Sequence, residues 1–360
     1  MLGKTAHPAP EAAGWTSAAA ILRIAPSRPE LLFPGDEVAV HQLYRQLASR
    51  WHPDRSKDPQ ATEVFQRIGA LYAAAREQIS SGRWRPACGE RVLNGGDGRQ
   101  YRIKHFARRT FELGELLIGK ELVSFLITPD AADLYAAALR MLRTLPFASK
   151  SMQEQISPWL PQVQAALEGA EHCALVLQKP DDTVLLADLV DHLHGIVPPR
   201  HVAWMLSALY NLACYLEWAG ITHNAIGPDT VFVSPQRHAV ALLGGWWYAA
   251  PTGGRLTALP QRTVDTVPHD IVNTRIAAQR CDLELIRATG RELLGDASGV
   301  RLLRDPSVPQ PMADWLQHPS SGSAVGDYQL WRDSLYRSFG ERRFVRLDIT
   351  PKQIYPHTPE

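Results

Sequence analysis

The stretch LYRQLASRWHPDRSKDPQ, residues 43–60, places a short polar loop between two segments with helical periodicity. Before the loop, apolar residues recur at steps of three and four and predict a helix from about Asp36 to Trp51. After it, Asp58 and Pro59 begin a second helix whose apolar positions continue to about Ser81. Two such helices bury their apolar faces against each other as an antiparallel hairpin, so the loop is predicted to be exposed at its tip.

This hairpin resembles the J domain of DnaJ-type cochaperones, because LYRQLASRWHPDRS (43–56) matches its second helix and loop and FQRIGALY (65–72) matches its third helix. The resemblance covers about residues 15–82 and implies a J domain over 1–82. It also implies that Arg45, Arg50 and Arg55 approach an acidic surface of a DnaK-type chaperone. In the same way, the resemblance makes His52, Pro53 and Asp54 the trigger of ATP hydrolysis in that partner. The alternative is a plain helical hairpin whose loop happens to read His-Pro-Asp.

Composition limits the other possibilities. With 360 residues, of which 45% are hydrophobic, the chain can form two or three cores, so we expect a multidomain protein. A net charge of +1 gives no overall field that would attract nucleic acid or an anionic membrane. The four cysteines are far apart, without the paired spacing of zinc or redox sites. No apolar run reaches the roughly 18 residues of a spanning helix, and we expect no membrane segment, no metal site and a cytoplasmic location.

Residues 83–97 read as a basic linker, because periodicity stops there and arginine, glycine and proline accumulate. The charge excess extends to Arg109, and it has two interpretations: phosphate contacts with a nucleic acid, or a solvated linker and strand, which we favour. The glycine cluster NGGDGRQ (94–100) is interpreted as a hairpin turn and not as a phosphate loop, since no lysine-serine pair and helix follow it.

Beyond the linker, strand-like segments up to Ile127 are followed by the helical stretch AADLYAAALRMLRTL (131–145). A strand pair is predicted in CALVLQKPDDTVLLADL (173–189), and a long apolar helix ends at Gly220. A small sheet with one helix, then a larger helical part, resembles a protein kinase over about residues 98–345. The fold class implied is α+β multidomain: a helical J domain, then a bilobal kinase-like fold with an N-lobe at 98–180, a C-lobe at 181–345 and a tail at 346–360.

The kinase active-site residues are absent from the positions that match them. This resemblance places Leu126 where a kinase has its nucleotide-binding lysine and Ala138 where it has the paired glutamate. In HNAIGPDTVFV (223–233), Ala225 matches the position of the catalytic base and Gly227 that of the loop lysine. Thr230 matches the position of the metal-binding asparagine. Gly244 or Gly245 stands for the metal-binding aspartate. Asp282, in CDLELIRATGRELLG (281–295), matches the buried aspartate that braces the catalytic loop.

Phosphoryl transfer depends on positioning and on charge neutralisation by these groups, so their joint loss predicts a pseudokinase with no catalytic residue and no cofactor. The aromatic residues Trp246, Trp247 and Tyr248 are expected to pack in the core. A sharper hypothesis is that Phe125, Leu126 and Trp246 fill the space that a nucleotide needs. His192 and His194 are interpreted as surface residues, because no further metal-ligand type is near them in sequence.

A J domain followed by a kinase-like domain resembles a bacterial family of DnaJ–kinase fusion proteins that mobile elements and phages often carry. The resemblance implies a specialised cochaperone that recruits and stimulates a DnaK-type chaperone, in the host cytoplasm if the gene is phage-borne. Its inactive kinase-like domain would bind an unknown client. Two other functions remain open: an atypical ATP-dependent transferase that uses groups such as Asp229 and Asp265, and a pure interaction scaffold.

Overall fold

The computed structural model describes residues 18–33, 37–56, 58–81, 84, 89–96, 98–169 and 172–355. The chain divides into two compact units: residues 1–91 with 104–109, and residues 92–103 with 110–360. We call them the N-terminal unit and the C-terminal unit. The first seventeen residues, parts of the predicted linker, Cys88 and the end of the predicted tail lie outside the described residues.

The described part of the N-terminal unit contains three α-helices: α1 (Ala18–Leu22), α2 (Glu37–Arg50) and α3 (Ala61–Ser80). The predicted hairpin is present as α2 and α3, which pack against each other with their apolar faces inward. The hairpin core contains buried side chains from both helices: Val40, Leu47, Trp51, Ala61, Val64, Ile68, Leu71 and Ala75. Ile21 and Phe33, from α1 and the segment after it, are fully buried in the same cluster. The Tyr44 ring stacks on Tyr72, with 3.8 Å between the ring centroids.

Five antiparallel strands form the main sheet, in the order β3-β4-β5-β7-β6. Two further strands, β1 and β2, form the hairpin predicted around the glycine cluster, where the Gly95 N–H donates to the Arg99 carbonyl at 2.8 Å. The helix α4 (Ala132–Arg143) lies between β5 and β6 in the chain. The strand bounds are as follows: β1 (Gly89–Asn94), β2 (Gln100–His105), β3 (Ala107–Phe111), β4 (Gly114–Ile118), β5 (Leu122–Ile127), β6 (Val163–Glu168) and β7 (Cys173–Gln178).

The rest of the C-terminal unit is mostly helical. Its helices are α5 (Lys150–Ile156), α6 (Leu186–His192), α7 (Pro199–Ala219), α8 (Gln261–Thr266), α9 (His269–Thr274), α10 (Gln279–Leu293), α11 (Gln310–Gln317), α12 (Ala324–Phe339) and α13 (Pro351–Ile354). Its short strands are β8 (Val184–Leu185), β9 (Ile221–Thr222), β10 (Val231–Ser234), β11 (Ala239–Leu242) and β12 (Ala250–Pro251). The predicted layout, a sheet with one helix followed by a larger helical part, is therefore present.

The strand pair predicted within residues 173–189 is wrong. β7 pairs with β5 and β6, whereas β8 has only two residues and pairs with β10 in a different sheet. The stretch is split because α6 begins at Leu186, directly after β8. In addition, β1 occupies part of the segment that was predicted to be a linker.

Long helices fix the position of α10, the helix that carries Asp282. Arg287 of α10 forms a fully buried ion pair with Asp327 of α12, and its guanidinium lies 4.0 Å from the centre of the Trp315 ring. Tyr210 of α7 also bonds to Arg287, at 2.8 Å. The Arg287 Nε also donates to the His318 carbonyl at 2.8 Å. A buried charge with three polar partners and an aromatic face restricts the helix to one arrangement. Among the described residues, no helix combines the length and the apolar character needed to cross a membrane.

Candidate functional site

The loop at the tip of the α2–α3 hairpin carries His52, Pro53 and Asp54. Backbone N–H groups of Arg55 and Ser56 both donate to the His52 carbonyl at 2.9 Å, which forms a tight turn after α2. The Asp54 N–H donates to the His52 Nδ1 at 3.2 Å, so the ring is oriented by its own loop. The side chains of His52 and Asp54 remain 45% and 88% exposed. The tripeptide is therefore both ordered and accessible to a partner.

Two anchors hold this loop on the hairpin. Trp51, directly before His52, is buried in the hairpin core, and the edge of the His52 ring meets Phe65 of α3 at 5.4 Å between centroids. The three arginines of the predicted docking surface, Arg45, Arg50 and Arg55, are all exposed. Arg55 donates to the Ser49 hydroxyl at 3.2 Å, which draws the start of the loop toward α2.

In the C-terminal unit, the loop from His223 to Thr230 corresponds to the predicted catalytic loop, and Asp282 braces it. Both oxygens of the buried Asp282 carboxylate accept backbone N–H groups, from His223 and Asn224, at 2.7 Å each. Asn224 has a left-handed φ of 62°, which asparagine tolerates better than most residues. Its side-chain amide donates to the Tyr248 carbonyl at 2.9 Å. The bracing role that the sequence assigned to Asp282 matches this geometry.

Burial shifts the pKa values of His223 and of Asp282. Burial lowers the pKa of His223 to about 3, so the ring is neutral at pH 7. Its Nε2 pairs with the Gly244 carbonyl at 2.9 Å, and since a carbonyl only accepts, Nε2 carries the proton. Desolvation raises the pKa of Asp282 to about 7, against the opposite effect of its two backbone donors. The imidazole of His223 and the carboxylate of Asp282 both bond to backbone groups, so their contacts support the fold of the loop.

The matched catalytic positions Ala225, Gly227, Thr230 and Gly245 lie together around this loop. The Thr230 hydroxyl donates to the Ala225 carbonyl at 2.7 Å and accepts the Gly227 N–H at 3.1 Å. The Thr230 hydroxyl therefore closes the loop, because these bonds go to backbone groups of the loop.

Arg262 lies directly against Gly227. A Cβ on Gly227 would lie 2.6 Å from the guanidinium of Arg262. Arg262 in turn donates to the Ile226 carbonyl at 2.7 Å and pairs with Glu292 at 3.0 Å. Sequence reasoning missed Arg262, because its partners are far away in the chain.

Of the two candidates for the metal-binding aspartate, Gly245 has no room for a side chain and Gly244 is tightly enclosed. Gly245 has a φ of 81°, and a Cβ there would lie 2.7 Å from the His223 ring and 2.9 Å from the Ala225 Cβ. A Cβ on Gly244 would lie 3.0 Å from the Thr230 backbone and 3.2 Å from the Phe125 ring. Glycine is thus required at 245 by both conformation and space.

Leu126 does not face this loop, which corrects its assignment as the position of the lysine. Neighbouring residues of a strand point to opposite faces, and the Phe125 ring is the one that approaches Gly244. Leu126 pairs with Ala174 and packs in a separate apolar cluster with Leu93 and Leu117. Phe125, and not Leu126, is therefore the residue of β5 whose side chain approaches this loop. Ala138 is buried in α4, which packs against the turn Trp246–Tyr248.

Three aromatic rings fill the space beside the loop. Phe125, Phe111 and Trp247 contact one another, with centroid distances of 5.0 to 5.8 Å. Trp246, which the hypothesis also named, packs on His223 and donates its Nε1–H to the Leu242 carbonyl. Of the residues that the hypothesis named, Phe125 belongs to this cluster, and the tryptophan in contact with it is Trp247.

The tip of the β3–β4 hairpin is tied down over this aromatic cluster by Glu112. Its carboxylate accepts the Tyr248 hydroxyl at 2.7 Å and the N–H of Gln261, at the start of α8, at 2.9 Å. Burial is the main cause that raises the pKa of Tyr248, followed by the bond to Glu112, so the phenol stays protonated. Nothing in the local sequence indicated this contact, which joins residues 136 positions apart.

The acidic residues considered for an unconventional transferase do not gather at this loop. Asp229 and Asp265 are exposed, and Asp265 accepts the side-chain amide of Gln261 at 2.8 Å. Within the described part of the chain, no group of three or more histidine, cysteine or acidic residues is arranged to hold a metal ion. His192 and His194 are exposed, as the sequence predicts.

Comparison with known proteins gives two likenesses. A stretch of 42 residues is 50% identical to Chaperone protein DnaJ 1 of Aromatoleum aromaticum, and it covers 11% of this chain and 12% of that protein. The chain thus contains a DnaJ-like segment but spans only about an eighth of that relative. The solved structure of vaccinia related kinase 3 is 14% identical, with a TM-score of 0.48 over 68% of this chain and 90% of that chain. No family model matches the sequence.

Proposed function

We propose that this protein is a J-domain cochaperone that recruits a DnaK-type chaperone and stimulates its ATPase. The observation that carries the proposal is the exposed His52-Pro53-Asp54 loop, held in one conformation at the tip of a two-helix hairpin. The 42-residue stretch that is 50% identical to a DnaJ protein supports this proposal. The chemistry takes place in the partner, so the loop needs accessibility and shape and not an active site. The cytoplasm, where such chaperones work, is the compartment that this function requires.

Basic side chains on the hairpin supply the means of docking. Arg45 and Arg50 of α2 and Arg55 of the loop project into solvent, where they can approach an acidic surface. Exposed charges of this kind act mainly on the association rate and on its salt dependence. Stimulation of the chaperone should therefore weaken as ionic strength rises.

The C-terminal unit is proposed to be an inactive kinase-like domain that binds a client or partner protein. Its sheet order and the helix α4, which follows β5 and precedes β6 in the chain, support a kinase-like topology. Around the loop, Ala225 supplies no base, and Gly245 leaves no space for a carboxylate. Phe111, Phe125 and Trp247 fill the neighbouring space, and Glu112 closes the hairpin above it. These features favour binding through the surface over catalysis in the cleft.

The test of the cochaperone function is the steady-state ATPase rate of a bacterial DnaK with this protein added. We expect stimulation by the parent chain and none by His52→Gln, while His192→Gln, the same change at an exposed histidine of the other unit, should stimulate like the parent. Equal stimulation by the parent and His52→Gln would refute the role of the loop. For the C-terminal unit, we expect no thermal stabilisation by magnesium and ATP, and a saturable rise in melting temperature would contradict a closed cleft.

A further inference from the structure

The last described residues of the chain form a strap over the C-terminal unit. α12 ends at Phe339, and Gly340, with a φ of 73°, turns the chain away from the helix. We define residues 344–355 as the strap. Up to α13, its residues form neither helix nor strand, and buried Leu347 and Ile349 alternate with exposed Arg346 and Asp348. An extended chain that buries every second side chain is typical of a peptide lying in a groove.

Tyr355 anchors the far end of the strap on β8 and α6. Its hydroxyl accepts the Leu185 N–H at 3.0 Å and donates to the carboxylate of Asp188, which is fully buried. Leu185 belongs to β8 at the edge of its sheet, and Asp188 lies in the first turn of α6. The phenol is only 4% exposed. The tyrosine hydroxyl is thus recognised by a backbone donor and a buried carboxylate acceptor.

Phe344 marks the near end of the strap. Its ring stacks on His238 at 4.1 Å between centroids, although Phe344 itself is 69% exposed. The opposite face of the His238 ring stacks on Trp204 at 4.5 Å. His238 also bonds to the Val345 backbone. The platform for Phe344 is therefore formed by residues outside the strap.

The strap has the contacts of a bound ligand more than those of a fold element. Between described residues, the backbone–backbone hydrogen bonds of residues 344–355 run within the strap, such as Ile349 to Leu347 at 2.8 Å. It contacts the rest of the unit through the bond of His238 to the Val345 backbone and through four side chains: Phe344, Leu347, Ile349 and Tyr355. A segment held in this way exchanges with a competitor more readily than a strand in a ladder.

We infer that the strap occupies a peptide-binding groove, and that the external ligand of this groove is a segment of another protein that is extended over its aliphatic residues and makes one helical turn before its tyrosine, as the strap does at α13. That segment carries two aliphatic residues two positions apart and a tyrosine six positions further on, as Leu347, Ile349 and Tyr355 do. The inference rests on the proposed role of the C-terminal unit as a binding module, and it names the class of partner. The strap then competes with the partner for the groove and limits binding to partners that can displace it.

A fluorescein-labelled peptide of residues 341–355 tests the groove directly by fluorescence anisotropy. The full-length Tyr355→Ala chain, whose strap has lost its anchor, should bind the peptide at least about tenfold more tightly than the parent chain, because a tethered competitor acts at millimolar effective concentration. The Phe344→Ala chain should also bind the peptide more tightly than the parent. This substitution replaces an exposed side chain, so it disturbs no buried residue. Asp348→Ala is the matched control and should behave like the parent. A peptide that carries alanine in place of the tyrosine should bind the freed groove at least about tenfold more weakly.

Absence of peptide binding to both folded strap variants would overturn the inference. Equal binding to the parent and to the variants would also overturn it, since the strap would then not compete. Dimers of the Tyr355→Ala chain in size-exclusion chromatography that the peptide does not dissociate would assign the groove to a second copy and reject the external ligand. The ATPase assay reads the His52 loop alone, so failure of the cochaperone function and failure of the groove are distinguishable.

Discussion

Replacement of Gly245 by alanine should destabilise the C-terminal unit for two separable reasons. The first is conformational, because a φ of 81° places any residue with a Cβ in the left-handed region, at a cost of about 1–2 kcal/mol. The second is steric, because the new Cβ would meet the His223 ring at 2.7 Å and the Ala225 Cβ at 2.9 Å. Overpacking of this kind costs about 1–3 kcal/mol.

Gly253 is a matched control for the first term. It has the same φ of 81°, but a Cβ there would meet nothing within 4 Å. Gly253→Ala should therefore cost about 1–2 kcal/mol, less any gain from a stiffer unfolded chain, and Gly245→Ala should cost about 1–3 kcal/mol more. The difference between the two variants measures how closely the loop around Ala225 encloses position 245.

Urea unfolding followed by tryptophan fluorescence is the assay, because most of the ten tryptophans belong to the C-terminal unit. The slope of the free energy against urea should be unchanged in both variants, so that midpoints report stability. Equal losses for Gly245→Ala and Gly253→Ala would refute the steric argument. That result would also mean that position 245 has space for the carboxylate that a magnesium site requires.

Three further predictions concern buried groups. Asp282→Asn retains only one acceptor oxygen for the two N–H groups of His223 and Asn224, and should cost about 1–3 kcal/mol in urea unfolding. The pKa of His223 is lowered in the folded state, so its neutral ring stabilises the fold above pH ~6.5, and this contribution is lost as pH falls toward 3. Relative to His223→Leu, the parent should lose about 1.4 kcal/mol per pH unit between pH 6 and 4, and a pH-independent difference would contradict a buried neutral imidazole. Leu71→Ala in the hairpin core should cost about 2–5 kcal/mol and reduce chaperone stimulation, whereas exposed Gln66→Ala should leave both unchanged.

The N-terminal hairpin could be predicted closely from the sequence because its signals are local. Apolar residues at helical spacing predicted both helices to within three residues, and the intervening His-Pro-Asp loop followed from the geometry of a hairpin. Asp58 contributes to the start of α3 through its side chain, which accepts the Gln60 N–H at 2.9 Å. Here the local pattern and the fold agree.

In β5, by contrast, the local pattern could not show which side chain faces the cleft. Nearly all residues of the strand are apolar, and from Val123 to Ile127 all are buried on both faces, so no alternation separates Phe125 from Leu126. The strap was missed for a related reason. Its apolar residues are isolated among arginines and prolines, and their groove is formed by residues more than a hundred positions earlier. Glu112 and Arg262 likewise act through partners that only the fold brings together.

The contact between Gly227 and Arg262 makes these two positions epistatic. A lysine at 227 would collide with a guanidinium that is held by Glu292 and the Ile226 carbonyl, so the single substitution is disfavoured. Loss of Arg262 alone would leave Glu292 without this partner and the loop without its brace. Each single change should therefore lower stability, and the double change should cost less than the sum of the two. Single substitutions at position 227 would report the presence of Arg262 as much as the loop itself.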